Sequence, residues 1–212
     1  KKTHLGCSIG LTSIDSRVSH ASLHLMHAEI ALYVAKARGR NIIHVYDPKD
    51  SDTVELKTAI SITQKVRKAI LENRIELYFQ PIYNMSQNCI CYYEALVRIR
   101  TRDGLLLGPE HFICALESAG DMPLLDHCIF NLAIEHLATY PELEKIAINI
   151  SAQTFKDEHL VDKIQATLRR HNVPAEKITF ELTESASLID VIATQDVIAD
   201  LHALGCKFSI DD

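Results

Sequence analysis

The regular alternation of strand and helix patterns between residues 145 and 212 constrains the fold of this chain more than any other feature. KIAINIS, KITFELTE and CKFSIDD each read as a strand, and helical segments at 154–171 and 186–204 separate them. Strands joined by helical crossovers run parallel, with right-handed connections. A doubly wound sheet and a (β/α) barrel both satisfy that alternation. Side chains alternate across a strand, so Ile146, Ile148 and Ile150 share one face while Ala147, Asn149 and Ser151 share the other. Ile178, Phe180 and Leu182 likewise oppose Thr179, Glu181 and Thr183, and Phe208 and Ile210 oppose Ser209 and Asp211. A parallel sheet covered on both faces would be apolar throughout. Here one face is small or polar and gains an oxygen-bearing residue toward the C-terminal end of each strand. That pattern favours the barrel, whose functional residues face the mouth at those ends.

Upstream, IELYFQPIYN (75–84) and CICYYEALVRIR (89–100) are two strands separated by a short polar turn, which predicts an antiparallel hairpin. Glu94, Leu96 and Arg98 share one face of the second strand. Helices are expected at 109–119 and 123–139, and a further helix at 53–73 follows a polar linker, DPKDSDT (47–53). The first residues read as a strand (5–14), a helix (20–39) and a short strand (41–47). Leu25, Ala28, Leu32 and Ala35 form the apolar stripe of that helix, and Gly39 stops it.

Composition excludes some functions. A net charge of −6 argues against a nucleic-acid polymer as partner, but a small nucleotide needs only a local positive group. No apolar run reaches the roughly 18 residues of a membrane span, and the N-terminus carries no apolar signal segment. The six cysteines form no CxxC pair and read as buried free thiols in a reducing cytoplasm. His20, His24 and His27 share a helical face without a carboxylate partner and are expected on a partly exposed surface. The chain opens on Lys1 and closes on Asp211-Asp212 inside a motif, so it is expected to be a piece of a longer protein.

Glu94, Asn149, Glu181 and Asp211 are expected to converge at one end of the sheet. Carboxylates and an amide oxygen, without Cys or His, suit Mg²⁺ or Mn²⁺. Asp212 adjoins the set and is placed to serve a second ion, giving the two-metal arrangement that promotes in-line displacement at phosphorus. A cation beside Arg98 matches a phosphodiester substrate.

FQPI, EALVR, INIS, ELTES and the terminal IDD resemble, in order and spacing, the EAL domain. That family comprises cyclic di-GMP phosphodiesterases built on a (β/α)8 TIM-type barrel, with a first strand antiparallel to the others. The resemblance implies that Glu94, Asn149, Glu181 and Asp211 ligate metal, with Asp212 at the second ion and Glu94, Asp211 and Asp212 central to catalysis. It also implies that Arg98 holds a substrate phosphate, that Gln80 lines the substrate pocket, and that Glu184 supports the loop after the double Asp. Residues 1–47 resemble the end of a GGDEF domain, through CSIGLT and AEIALYVAKARGRN, with Lys36 and Arg40 near nucleotide phosphates and Glu29 where that family usually has Asp. On this reading 48–59 is a linker and the start of a connecting helix, and 60–212 is the N-terminal portion of the EAL domain. A complete barrel needs roughly 250 residues, and the family's general-base Lys falls beyond Asp212. The 212 residues alone are therefore expected to be inactive, whereas the longer protein hydrolyses cyclic di-GMP to linear pGpG. The alternative is a receptor that binds cyclic di-GMP without turnover. Family members also dimerise through this domain.

Overall fold

The computed structural model describes residues 6–14, 20–183 and 191–211, with Thr183, 191–194 and Asp211 followed by backbone alone. The chain divides into two units, one ending at Ser61 and the other beginning at Ile62.

The first unit is built on a close approach of backbone to backbone. Strand β1 (Ile9–Leu11) pairs in parallel with β2 (Ile43–Val45), and helix α1 (Ala21–Ala37) connects them. A Cβ on Gly10 would lie 2.2 Å from the carbonyl oxygen of Ala28 and 2.2 Å from the amide of Leu32, so only glycine lets the helix sit on the strand here. The buried face of α1 is Ile30, Ala31, Val34 and Ala35. Leu25, expected in the apolar stripe, is 62% exposed, because strands of three residues cover only the C-terminal part of the helix. The histidines stand on a partly exposed face, as expected, with His20 exposed and His24 and His27 half-buried. His27 stacks on Tyr46 with ring centroids 3.9 Å apart, and both ring nitrogens of His24 are buried without a hydrogen-bond partner among the described residues. Burial, with Lys57 and His24 nearby, pushes the His27 imidazole below its ordinary pKa. The polar stretch 47–53 turns into a helix start. Asp50 accepts from the Thr53 amide at 3.3 Å, Arg38 bonds Asp50 at 2.9 Å and also Asp52, and α2 (Ser51–Leu71) follows.

In the second unit the hairpin strands β3 (Ile75–Asn84) and β4 (Cys89–Arg100) match the sequence boundaries residue for residue and pair antiparallel. A two-residue strand, β5 (Leu106–Leu107), pairs with β4. Then β6 (Ile146–Asn149), β7 (Ile178–Thr183) and β8 (Lys207–Asp211) add in parallel, in the order β3-β4-β6-β7-β8. The intervening helices are α3 (Ile113–Ala119), α4 (Met122–Thr139), α5 (Leu160–His171) and α6 (Val191–Ala203). This is the parallel β/α succession expected, with the antiparallel first strand.

The odd–even split along the strands is realised in packing. Ile146, Ile148, Ile178 and Phe180 are at most 1% exposed and pack with Leu125, Ile129, Ala133 and Ile134 of α4. Phe180 lies between Phe130 and Phe208, at centroid distances of 5.9 and 5.7 Å. Burial of such side chains contributes about 1.5–3 kcal/mol each. Ile210 departs from its parity, at 70% exposed, because β8 ends the sheet path. Two helices read as continuous are interrupted. A 3₁₀ turn at Pro109–His111 precedes α3, and another at Thr154–Lys156 precedes α5. The thiols are free, as expected, but only Cys206 is buried, and Cys7, Cys89 and Cys114 are exposed. No helix among the described residues is long and apolar enough to cross a membrane.

Candidate active site

Register carries most of the candidate side chains onto one face of the sheet. Gln80 lies opposite Glu94 across the hairpin, and Glu94 pairs with Ala147, two residues before Asn149. Asn149 pairs with Glu181, Glu181 with Ser209, and Thr183 with Asp211. Partners in register and residues two apart share a face. The face opposite the apolar core therefore holds Gln80, Glu94, Asn149 and Glu181, with Asp211 at the matching position of β8.

Two contacts tie this row together. The Asn149 amide Nδ2 donates to Glu94 Oε1 at 2.9 Å, and the Ser209 hydroxyl donates to Glu181 Oε1 at 3.4 Å. Using its nitrogen toward Glu94 leaves the Asn149 carbonyl oxygen as a ligand atom. Glu181 is only 9% exposed, and a carboxylate at that depth needs hydrogen bonds or a cation to offset its lost hydration. Glu94, Asn149 and Glu181 thus offer only oxygen donors from three neighbouring strands, which fits a hard divalent cation and not zinc. Among the described residues no group of three or more His, Cys, Asp and Glu side chains forms a metal cluster, so two carboxylates and an amide are what the described part supplies. Asp212 and Glu184 lie outside the described residues, and Asp211 is placed by its backbone only.

Arg98 stands on the same strand face as Glu94, four residues along. Arg67, Arg74, Arg100 and Arg102 each pair with a carboxylate, of Asp121, Glu72, Glu76 and Glu72 respectively. Arg98 makes no ion pair among the described residues. Its Nη1 donates to the Val97 carbonyl at 2.8 Å, and its guanidinium carbon lies 5.8 Å from the centre of the Tyr78 ring. It is half-buried, and Gln80 is exposed.

Sequence reasoning missed Asp126. It lies on α4, 5% exposed, and its Oδ2 accepts from the Ser151 amide at 2.9 Å and from Thr154 Oγ1 at 2.5 Å. Burial raises its pKa to about 6, against the lowering effect of the Thr154 and Ser151 donors, and Glu117 adds to the rise. The signal was present in the sequence. Asp126 sits beside Leu125 and between Met122 and Ile129 on the stripe that α4 buries, where an unpaired carboxylate would be costly. A cleft of about 540 Å³ opens at this end of the sheet, lined by Leu96, Asn149, Ser151, Gln153, Glu117 and Asp126 among others.

A family model described as the EAL domain matches residues 63–212. Over 212 aligned residues the chain is 31% identical to the cyclic di-GMP phosphodiesterase PdeB of Shewanella oneidensis, covering 98% of this chain and 25% of that protein. The chain spans about a quarter of the length of the curated relatives it matches. Among solved structures, the PaMucR phosphodiesterase in complex with c-di-GMP superposes with a TM-score of 0.66 at 26% identity, covering 72% of this chain and 63% of that one. The S helix-GGDEF-EAL structure of Vibrio cholerae LapD, bound to c-di-GMP, has a TM-score of 0.66 at 20% identity. It covers 96% of this chain and 49% of its own, and the likeness is one of fold.

Proposed function

This chain belongs to the EAL-domain family, and from that premise we propose that it carries the catalytic face of a cyclic di-GMP phosphodiesterase acting in second-messenger signalling. Water adds across one phosphodiester, the bond from phosphorus to the 3′ oxygen breaks, and linear pGpG leaves with a new 3′ hydroxyl and 5′ phosphate. The row from Glu94 through Asn149 to Glu181, joined by the 2.9 Å amide–carboxylate contact, is the observation on which this reading rests.

Glu94, Asn149, Glu181 and Asp211 would hold Mg²⁺ or Mn²⁺, with Asp212 beside a second ion, and such cations supply an activated water and stabilise the leaving oxygen. The chain's own groups do the rest. Asn149 orients the Glu94 carboxylate through its amide nitrogen. Arg98, without an ion pair among the described residues, turns its planar fork to a substrate phosphate, which accepts two parallel hydrogen bonds. Gln80, exposed opposite Glu94, contacts the substrate at the pocket wall, and Glu184 supports the loop that follows Asp212.

The same reading assigns residues 1–47 to the end of a GGDEF domain, 48–59 to the linker and start of the connecting helix, and 60–212 to the EAL domain. The strand–helix–strand order of β1, α1 and β2 supports this, as does the shared fold with LapD over 96% of the chain. Lys36 and Arg40 are exposed at the end of α1 and would face nucleotide phosphates. A nucleotide second messenger as substrate places the activity in the cytoplasm, and the EAL half is the proposed dimer contact.

The test is incubation of the full-length protein with cyclic di-GMP and Mg²⁺, Mn²⁺ or a chelator, with pGpG followed by chromatography. Metal-dependent pGpG is the expected result. Saturable binding without product would overturn the catalytic reading and leave a receptor.

A further inference from the structure

Next to the metal-binding row lies a loop whose position is set from another layer of the fold. Strand β6 ends at Asn149, and the next two amides are held from opposite sides. The Ile150 N–H donates to the Glu181 carbonyl of β7 at 3.0 Å, and the Ser151 N–H donates to Asp126 of α4 at 2.9 Å. The same Asp126 oxygen takes the Thr154 hydroxyl, on a side chain only 1% exposed. The neighbouring residue on α4 holds the far end of the loop, where His127 Nε2 lies 2.9 Å from Asp157 Oδ2. In between, Gln153 Nε2 donates to the Glu117 carbonyl at 2.7 Å, and the Gln153 amide donates to Ser151 Oγ at 3.2 Å. The loop thus leaves the strand carrying Asn149, is clamped at both ends by consecutive residues of one helix, and lines the 540 Å³ cleft through Ser151, Ala152 and Gln153.

We propose that Asp126 is a positioning residue: by anchoring the 151–157 loop to α4 it fixes the Asn149 amide against Glu94 and holds that side of the cleft. This rests on the reading of Glu94, Asn149 and Glu181 as the metal-binding row. The carboxylate of Asp126 takes two donors of the loop at once, and buried hydrogen bonds that share a group hold its partners more rigidly. Groups that orient metal ligands from outside typically change metal affinity about 10–100-fold when removed. Asp126 lines the cleft, and its carboxylate bonds the loop, at the Ser151 amide and the Thr154 hydroxyl. Its effect passes through the backbone of Ser151 to Asn149, two residues away.

The test uses the full-length protein, Mn²⁺ alone as the probe in calorimetric titration, and amide hydrogen exchange across 151–157 without metal. Asp126→Ala is expected to weaken Mn²⁺ binding about tenfold or more and to speed exchange in the loop, while exchange in β7 stays as in the wild type. Asp126→Asn keeps a side-chain carbonyl that accepts both bonds, and it is expected to restore both readouts. Thr154→Val removes one of the two bonds at constant shape and replaces Asp126→Ala should that variant not fold. Its Mn²⁺ affinity is expected to fall less than that of Asp126→Ala, and Thr154→Ser is expected to recover it. Wild-type affinity and loop protection in the Asp126→Ala or Thr154→Val protein would overturn the proposal, as would equal losses in Asp126→Ala and Asp126→Asn. Neither readout uses cyclic di-GMP. A wild-type protein that binds Mn²⁺ but forms no pGpG therefore overturns the phosphodiesterase reading and leaves the anchoring test standing.

Discussion

The two units use parallel strands in opposite ways. In the first, β1 and β2 are three residues long, and Ile9, Leu11, Ile43 and Val45 remain 39–62% exposed. In the second, the core face of β6 and β7 is at most 1% exposed at Ile146, Ile148, Ile178 and Phe180, and the other face carries Asn149 and Glu181. The contrast shows what a polar strand residue means. Alternation marks a site only where the apolar parity is covered, because then the polar parity has a fixed direction and its neighbours a fixed register. The first unit instead draws its order from one backbone contact at Gly10 and from the helix face above it.

Experiments that break this contrast follow, from the largest effect to the smallest. Glu94→Ala in the full-length protein is expected to lower cyclic di-GMP turnover by at least about a hundredfold with an unchanged melting temperature, because it removes a proposed metal ligand and not core volume. Wild-type turnover would remove Glu94 from the site. Gly10→Ala does the reverse. It forces a Cβ against the backbone of α1 and is expected to cost about 2–3 kcal/mol in the first unit. Faster amide exchange in 21–37 is the readout, and wild-type protection there would show that the helix can shift away.

Arg98→Ala is expected to weaken cyclic di-GMP binding about tenfold, with Mn²⁺ affinity kept. Unchanged substrate affinity would count against its phosphate role. The smallest effect concerns pH. Lys163 foremost, helped by the His159 amide and His127, holds Asp157 down to about 2 against the opposing effect of burial. A carboxylate held below its ordinary value stabilises the fold fully above about pH 4 and loses that contribution as pH falls through about 2. Asp157→Asn is thus expected to cost about 1 kcal/mol at pH 7 and almost nothing by about pH 1, the value being small because Lys163 is 52% exposed. An equal cost at both pH values would assign the effect to packing.

Local pattern carried far in some segments and stopped short in others. The hairpin boundaries at 75–84 and 89–100 were readable because a period of two persists across both strands and a polar turn separates them. The break between Thr154–Lys156 and α5 was not, because the segment is held by Asp126, a residue 28 positions away. Helical spacing puts Leu25 on the apolar stripe but fits more than one face, and only the strands underneath choose between them. Arg98 without an ion pair among the described residues was likewise illegible, since its neighbours Arg100 and Arg74 find carboxylates and it does not.

The sequence by itself determined the order of strands and helices, the face on which Glu94, Asn149 and Glu181 stand, and the oxygen donors that those three residues offer. These follow from the two-residue period of a strand and from side-chain chemistry, which are local. Only the tertiary structure decided that Asn149 touches Glu94, that Glu181 is nearly buried, and that Asp126 of α4 grips the loop behind them. Those depend on register and on helix-to-sheet packing, where the partners lie 25–55 residues apart and no local pattern records the distance between them.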